Sequence, residues 1–177
     1  MVQLGKDRFY NSSSECDASF TFEPRTICAV LTADCLPIFL TNCDENFVSA
    51  IHAGWQGVAN GVIINTIQAI KLEPSKMKAF IGPSISQANF QTGNELRDLF
   101  CDLDHSNEQF FIVDETTQNK YLCNIRGVAI SQMLKLGLHI ENITYSNICT
   151  YQNSDLFYSY RKEQVTGRFA SLIWLDK

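Results

Sequence analysis

A thiol and an imidazole stand 17 residues apart in this chain, and each closes an apolar run that reads as a buried β-strand. Cys35 follows the run 27–31 within Ala33-Asp34-Cys35-Leu36-Pro37, and His52 ends the run 47–51 and opens His52-Ala53-Gly54-Trp55-Gln56-Gly57. On neighbouring strand ends, two such side chains offer either of two chemistries. A thiolate and a neutral imidazole are preferred donors to zinc, and a thiol beside an imidazole is a nucleophile with its base. The residue types leave both open. Asp34, next to the thiol, is a candidate general base or a group that orients a ligand. Gly54 and Gly57 let the backbone turn tightly and approach a ligand closely, and Trp55 between them offers a flat aromatic wall.

Two further segments carry polar chemistry. Ile81-Gly82-Pro83-Ser84-Ile85 ends a strand-like run in a Gly-Pro turn beside a hydroxyl. Phe157-Tyr158-Ser159-Tyr160-Arg161, with Thr166-Gly167-Arg168, gathers aromatic faces and two guanidinium groups. Their planar forks match phosphate. The other histidines, His105 in a polar loop and His139 between a helix stop and a strand, read as solvent-facing and structural. Three histidines in all are too few for the mononuclear and trinuclear copper centres of a multicopper oxidase. Copper is therefore not expected. The H-x-E and P-C-x-x-C signature of the zinc deaminases is absent.

The elements that must position these groups read as follows. Strands are expected over 26–32, 38–41, 47–52, 77–81, 110–113, 143–149 and 169–175, with the first strand signal near residue 18. Helices are expected over 58–71, 93–103 and 120–136, the last from Leu122, Ile125, Ala129, Met133 and Leu136 at helical spacing before a Gly137 stop. Alternating strands and helices without repeats predict an α/β (mixed α+β) fold, a layered sandwich with a mixed sheet. With 177 residues, 45% of them hydrophobic, one domain over 1–177 is expected, its first 16 residues a polar segment. A net charge of −5 with no basic run argues against nucleic acid or an anionic membrane as partner. With neither a membrane-length apolar run nor a signal-peptide core, a cytoplasmic location is expected. Seven cysteines without a CxxC fit reduced thiols, most of them small core residues.

Taken in order, Thr32-Ala33-Asp34-Cys35-Leu36-Pro37, His52-Ala53-Gly54-Trp55-x-Gly57, Ile81-Gly82-Pro83-Ser84-Ile85 and the 157–168 aromatic and arginine segment resemble the polyphenol oxidase (laccase) domain family, also called peptidoglycan editing factor and purine nucleoside phosphorylase. The resemblance runs from about residue 17 to 174. It implies a layered α/β fold with a mixed sheet and one zinc ion per chain, held by an N-terminal histidine together with Cys35 and His52. It also implies phosphorolysis of adenosine, inosine and methylthioadenosine, and deamination of adenosine. The substrates would be a purine nucleoside and phosphate, with Trp55, Gln56, Arg161 and Arg168 in substrate contact and Asp34 beside the catalytic Cys35 and His52. The sequence departs from the family pattern in two places. No histidine precedes His52, with Gln3-Leu4-Gly5-Lys6 where the first zinc ligand falls, and Gln56 replaces an arginine. The chain thus resembles an N-terminally shortened member. A metal-free Cys–His hydrolase and an inactive relative stay open beside the zinc enzyme.

Overall fold

Apolar residues at alternate positions build the strands, and two helices with one apolar side each cover them. In the computed structural model, which describes residues 2–4, 16–44 and 46–176, the chain opens with β1 (Val2–Leu4), β2 (Ala18–Thr21), β3 (Cys28–Thr32), β4 (Leu36–Asn42) and β5 (Val48–Ala53). Helices α1 (Trp55–Ala59) and α2 (Val62–Ile70) precede β6 (Met77–Ile81) and β7 (Gln91–Gly93). Next come α3 (Asn94–Leu103), β8 (Phe111–Val113), β9 (Lys120–Cys123), α4 (Ile125–Lys135), β10 (Ile143–Tyr145) and β11 (Phe169–Ile173).

Six strands form a mixed sheet in the order β1-β2-β5-β4-β6-β10. The outermost pairs, β1 with β2 and β6 with β10, are parallel, and the pairs between are antiparallel. Strand alternation divides its side chains between two faces. Leu36, Ile38 and Leu40 of β4 with Ile51 and Ala53 of β5 meet Ile63, Ile67 and Ile70 of α2 and Val128, Ala129 and Met133 of α4. Burying each large aliphatic chain is worth about 1.5–3 kcal/mol, so this face anchors the fold. On the opposite face, Val48 and Ala50 pack under an antiparallel ribbon of β3 and β11 through Cys28, Val30 and Ile173, with Leu175 just past β11 completing the cluster. The result is a layered α/β sandwich with a mixed sheet. A separate three-stranded antiparallel piece, β7-β9-β8, holds α3 at its side.

Local chemistry moves several expected boundaries. The helix expected over 58–71 is two helices, because Gly61 turns into the left-handed region at φ 80° between them. The pattern over 120–136 begins as strand: Tyr121 and Leu122 lie on β9, and Asn124 then starts α4 by accepting the Gly127 N–H on its side-chain oxygen at 2.9 Å. The run over 143–149 leaves the sheet after Tyr145, where the Ser146 N–H bonds the Ile81 carbonyl and the Arg126 guanidinium takes the Ser146 carbonyl. β7 is too short and polar to read from the sequence. The polar N-terminal segment contains β1. Of the cysteines, only Cys28, Cys123 and Cys149 are buried, whereas Cys16 and Cys43 are exposed, so core placement holds for three. Among the described residues no helix is long and apolar enough to cross a membrane.

Candidate active site

The antiparallel register of β4 and β5 places the two candidate donors together. Leu36 pairs with Ala53 and Pro37 with His52, so Cys35, one residue before β4, sits beside the end of β5. The chain then turns at Gly54, and both reactive atoms converge on that residue. A β-carbon there would lie 3.1 Å from the Cys35 Sγ and 3.7 Å from the His52 Nε2. Glycine leaves this volume open.

His52 is fixed from behind by Asp17. The Asp17 carboxylate accepts from Nδ1 at 2.9 Å, and the Asp17 carbonyl accepts the His52 backbone N–H at 2.7 Å. With the proton on Nδ1, the free lone pair is on Nε2, the ring atom that approaches Gly54 as the thiol does. Asp17 was not among the residues singled out from the sequence. It becomes a partner of His52 only through the β2–β5 register, in which Ala18 stands opposite Ile51. Burial pushes the Cys35 thiol above the ordinary cysteine value, the Asp34 charge adds to this, and the Arg168 charge opposes it. Unassisted, Cys35 is a thiol rather than a thiolate at neutral pH.

A cavity of about 250 Å³ opens beside the pair, lined by Ala33, Asp34, Cys35, Ala53, Gly54, Trp55, Ile85, Phe90, Ile125, Tyr160 and Arg161. Trp55, Phe90 and Arg161 also face a neighbouring hollow of about 500 Å³ that reaches Thr92, Leu96 and Leu99. Arg161 is held in place: its Nη1 donates to the carbonyls of Asn89 at 3.3 Å and Gln91 at 2.9 Å, and its guanidinium lies 5.3 Å from the Phe90 ring centre. Asp34 is buried, and its carboxylate accepts from the Thr150 hydroxyl at 2.6 Å, the Ser159 hydroxyl at 3.0 Å and the Arg161 backbone N–H at 2.7 Å. Gln56 is exposed on α1 and Arg168 bonds the carbonyls of Thr166 and Gly167, and neither lines the cavity. Phe90, which completes the wall, and Asn89, whose carbonyl helps hold Arg161, come from a segment that carried no motif.

The donor set fits part of a zinc site. A sulfur and an imidazole nitrogen facing one open point are the pair zinc prefers, with Asp17 orienting the ring from behind as outer carboxylates do. Among the described residues no group of three or more His, Cys, Asp and Glu is arranged to hold a metal. The two donors therefore need completion from elsewhere. Gly54 tests this geometry directly. Its φ of −69° and ψ of 162° are open to alanine, so Gly54→Ala is expected to leave the fold intact while its methyl crowds Sγ. Zinc affinity, measured by competition with a chromogenic chelator, is expected to fall about 10–100-fold. An unchanged affinity would show that Cys35 and His52 do not share an ion.

Comparison with known proteins places the chain. A family profile described as "Multi-copper polyphenol oxidoreductase laccase" matches residues 1–176. The "Purine nucleoside phosphorylase" of Haemophilus influenzae is 37% identical over 162 residues, covering 92% of this chain and 66% of that protein. "Purine nucleoside phosphorylase YfiH" of Escherichia coli K12 is 38% identical over 164 residues, covering 93% and 65%. The chain thus spans just under two thirds of the length of these relatives. The crystal structure of Neisseria meningitidis protein NMB0706 superimposes with a TM-score of 0.86 at 37% identity, covering 92% of this chain and 66% of that one. With the match running over nearly every residue that builds the cavity, the chain belongs to the multi-copper polyphenol oxidoreductase laccase family.

Proposed function

We propose that this chain processes purine nucleosides, with phosphorolysis as its main reaction and deamination of adenosine as a second use of the same cavity. The observation that carries the reading is the cavity itself: aromatic faces from Trp55, Phe90 and Tyr160 and a fixed guanidinium from Arg161 beside the Cys35–His52 pair. The names of the relatives at 37% and 38% identity support it. Flat apolar faces suit a purine ring, and a held Arg fork suits phosphate.

In phosphorolysis a phosphate oxygen bonds the ribose C1′ as the C1′–N9 bond breaks. The base leaves with the bonding pair and takes up a proton, giving ribose 1-phosphate and free base. His52 Nε2, its tautomer set by Asp17, holds the lone pair that can take a proton from the incoming group and return it to the leaving nitrogen. Trp55, Phe90 and Tyr160 position the base, and Arg161 bears the phosphate charge. In deamination, water adds to C6 and ammonia leaves, with the same imidazole moving the proton. A zinc ion, if bound by Cys35 Sγ and His52 Nε2, would occupy that lone pair and supply Lewis acidity in place of the imidazole's proton transfer. Of the three histidines in the chain, His52 is the one whose ring reaches Gly54 beside the Cys35 thiol.

The test is chromatography of adenosine, inosine and methylthioadenosine incubated with the protein, with and without phosphate, alongside the metal content of protein purified without chelators. Free base released only with phosphate is expected, together with inosine from adenosine. No turnover of any nucleoside, in zinc-loaded protein that melts cooperatively, would overturn the reading in favour of an inactive relative.

A further inference from the structure

We propose that Asp34 is a positioning residue rather than a general base: its carboxylate clasps the 150–161 segment and so holds Tyr160 and Arg161 on the cavity wall opposite Cys35. The backbone is the first argument. Asp34 adopts φ 83°, in the left-handed region that few residues other than glycine enter, although Asp and Asn do so more readily than most. Such a conformation persists where its surroundings over-determine it. Here they do: the Asp34 carbonyl accepts the Ile85 N–H at 3.0 Å, while both carboxylate oxygens are engaged.

The donors supply the second argument. Thr150, Ser159 and Arg161 lie 116, 125 and 127 residues downstream. Between β10 and β11 the chain forms turns but neither helix nor strand: a single parallel bridge between Cys149 and Ser84 ties its start, and beyond it no ladder fixes 151–168 to the sheet. Charge-assisted bonds to one buried carboxylate replace the ladder. Arg161 is then pinned at both ends, its N–H by Asp34 and its Nη1 by the carbonyls of Asn89 and Gln91. A carboxylate with three of its four acceptor positions filled by hydroxyl and amide protons has little left with which to take a proton from substrate.

The consequence for turnover rests on the nucleoside reading; the clasp does not. Asp34→Asn keeps the shape and the tolerance for positive φ but has one acceptor oxygen for three donors. Asp34→Gly relieves the backbone and removes the clasp altogether. Ser159→Ala removes a single donor and guards against a glycine variant that fails to fold. Trypsin cleavage after Arg161 and Lys162, both exposed, and hydrogen exchange over 150–168 read the clasp without substrate. Cleavage and exchange are expected to speed up at least tenfold in Asp34→Gly and Asp34→Asn, and by less in Ser159→Ala, with exchange in β4 and β5 unchanged. In turnover, KM for phosphate is expected to rise several-fold more than kcat falls. Protection of 150–168 equal to that of the unaltered chain in the asparagine and glycine variants would overturn the proposal. So would a kcat loss without change in KM or protection, which is what removal of a general base gives. If the unaltered chain turns over no nucleoside, the functional reading fails, and the protease and exchange data still decide the clasp.

Discussion

Cys35→Ala is expected to lower nucleoside turnover about a thousandfold, the scale on which removal of one member of a cooperating catalytic group acts. The side chain belongs to neither buried apolar cluster, so the melting temperature is expected to stay within a few degrees. Among the described residues the thiol is the one sulfur lining the cavity, its Sγ and the His52 Nε2 both approach Gly54, and no other lining residue is a soft donor. His52→Ala is expected to cost as much, and the double variant little more than either alone, because the two act as a unit. Additive losses would instead mean that they serve separate steps. A Cys35→Ala protein retaining a tenth or more of the activity would remove this cysteine from the chemistry. The metal-free hydrolase reading makes an opposite demand, for a thiol that ionises readily, whereas burial and the neighbouring Asp34 both hold Cys35 protonated.

The largest stability effect is expected at Ile38. This residue lies fully buried in the middle of β4, opposite Ile51 on one side and Ile81 on the other. Ile38→Ala removes side-chain volume where both neighbours are held by sheet hydrogen bonds and cannot close the gap. The expected loss is about 2–5 kcal/mol, against a total of roughly 5–15 kcal/mol for a folded domain. Urea unfolding is expected to show a lower midpoint at unchanged slope. Leu31→Ala, on the exposed outer face of β3, serves as the contrast and is expected to stay within about 0.5 kcal/mol. A loss below about 1 kcal/mol at Ile38 would mean that the sheet relaxes around the site more than its pairing implies.

What could be read from the sequence was local. Strand alternation and tight motifs located Cys35 and His52 on strand ends, because the turn between β4 and β5 is short and their pairing follows from it. Asp17 was hidden, since its meaning depends on a register between strands whose paired residues lie about 30 apart. Asp34 was visible as a carboxylate beside a thiol, yet its neighbours at Thr150, Ser159 and Arg161 come from the far end of the chain. Periodicity also misled where two elements run together. Leu122 fits the helical spacing of α4 and lies on β9, because Asn124 caps the helix behind it. Arg161 and Arg168, alike in the sequence, are held differently: one is tied to the cavity wall by carbonyls at Asn89 and Gln91, the other by carbonyls of its own loop with its guanidinium 5.8 Å from the Tyr160 ring centre.

The span of the Asp34 hydrogen bonds also sets a timetable. Closing a loop of more than a hundred residues costs chain entropy that only later contacts repay, so the thiol and imidazole, 17 residues apart, meet long before the wall that encloses them. On the ribosome, β4 and β5 emerge and can pair while Thr150, Ser159 and Arg161 are still unmade. Until the last of these has been synthesised, the nascent protein carries its sulfur without the wall that encloses it, and β11 has still to follow and pair with β3.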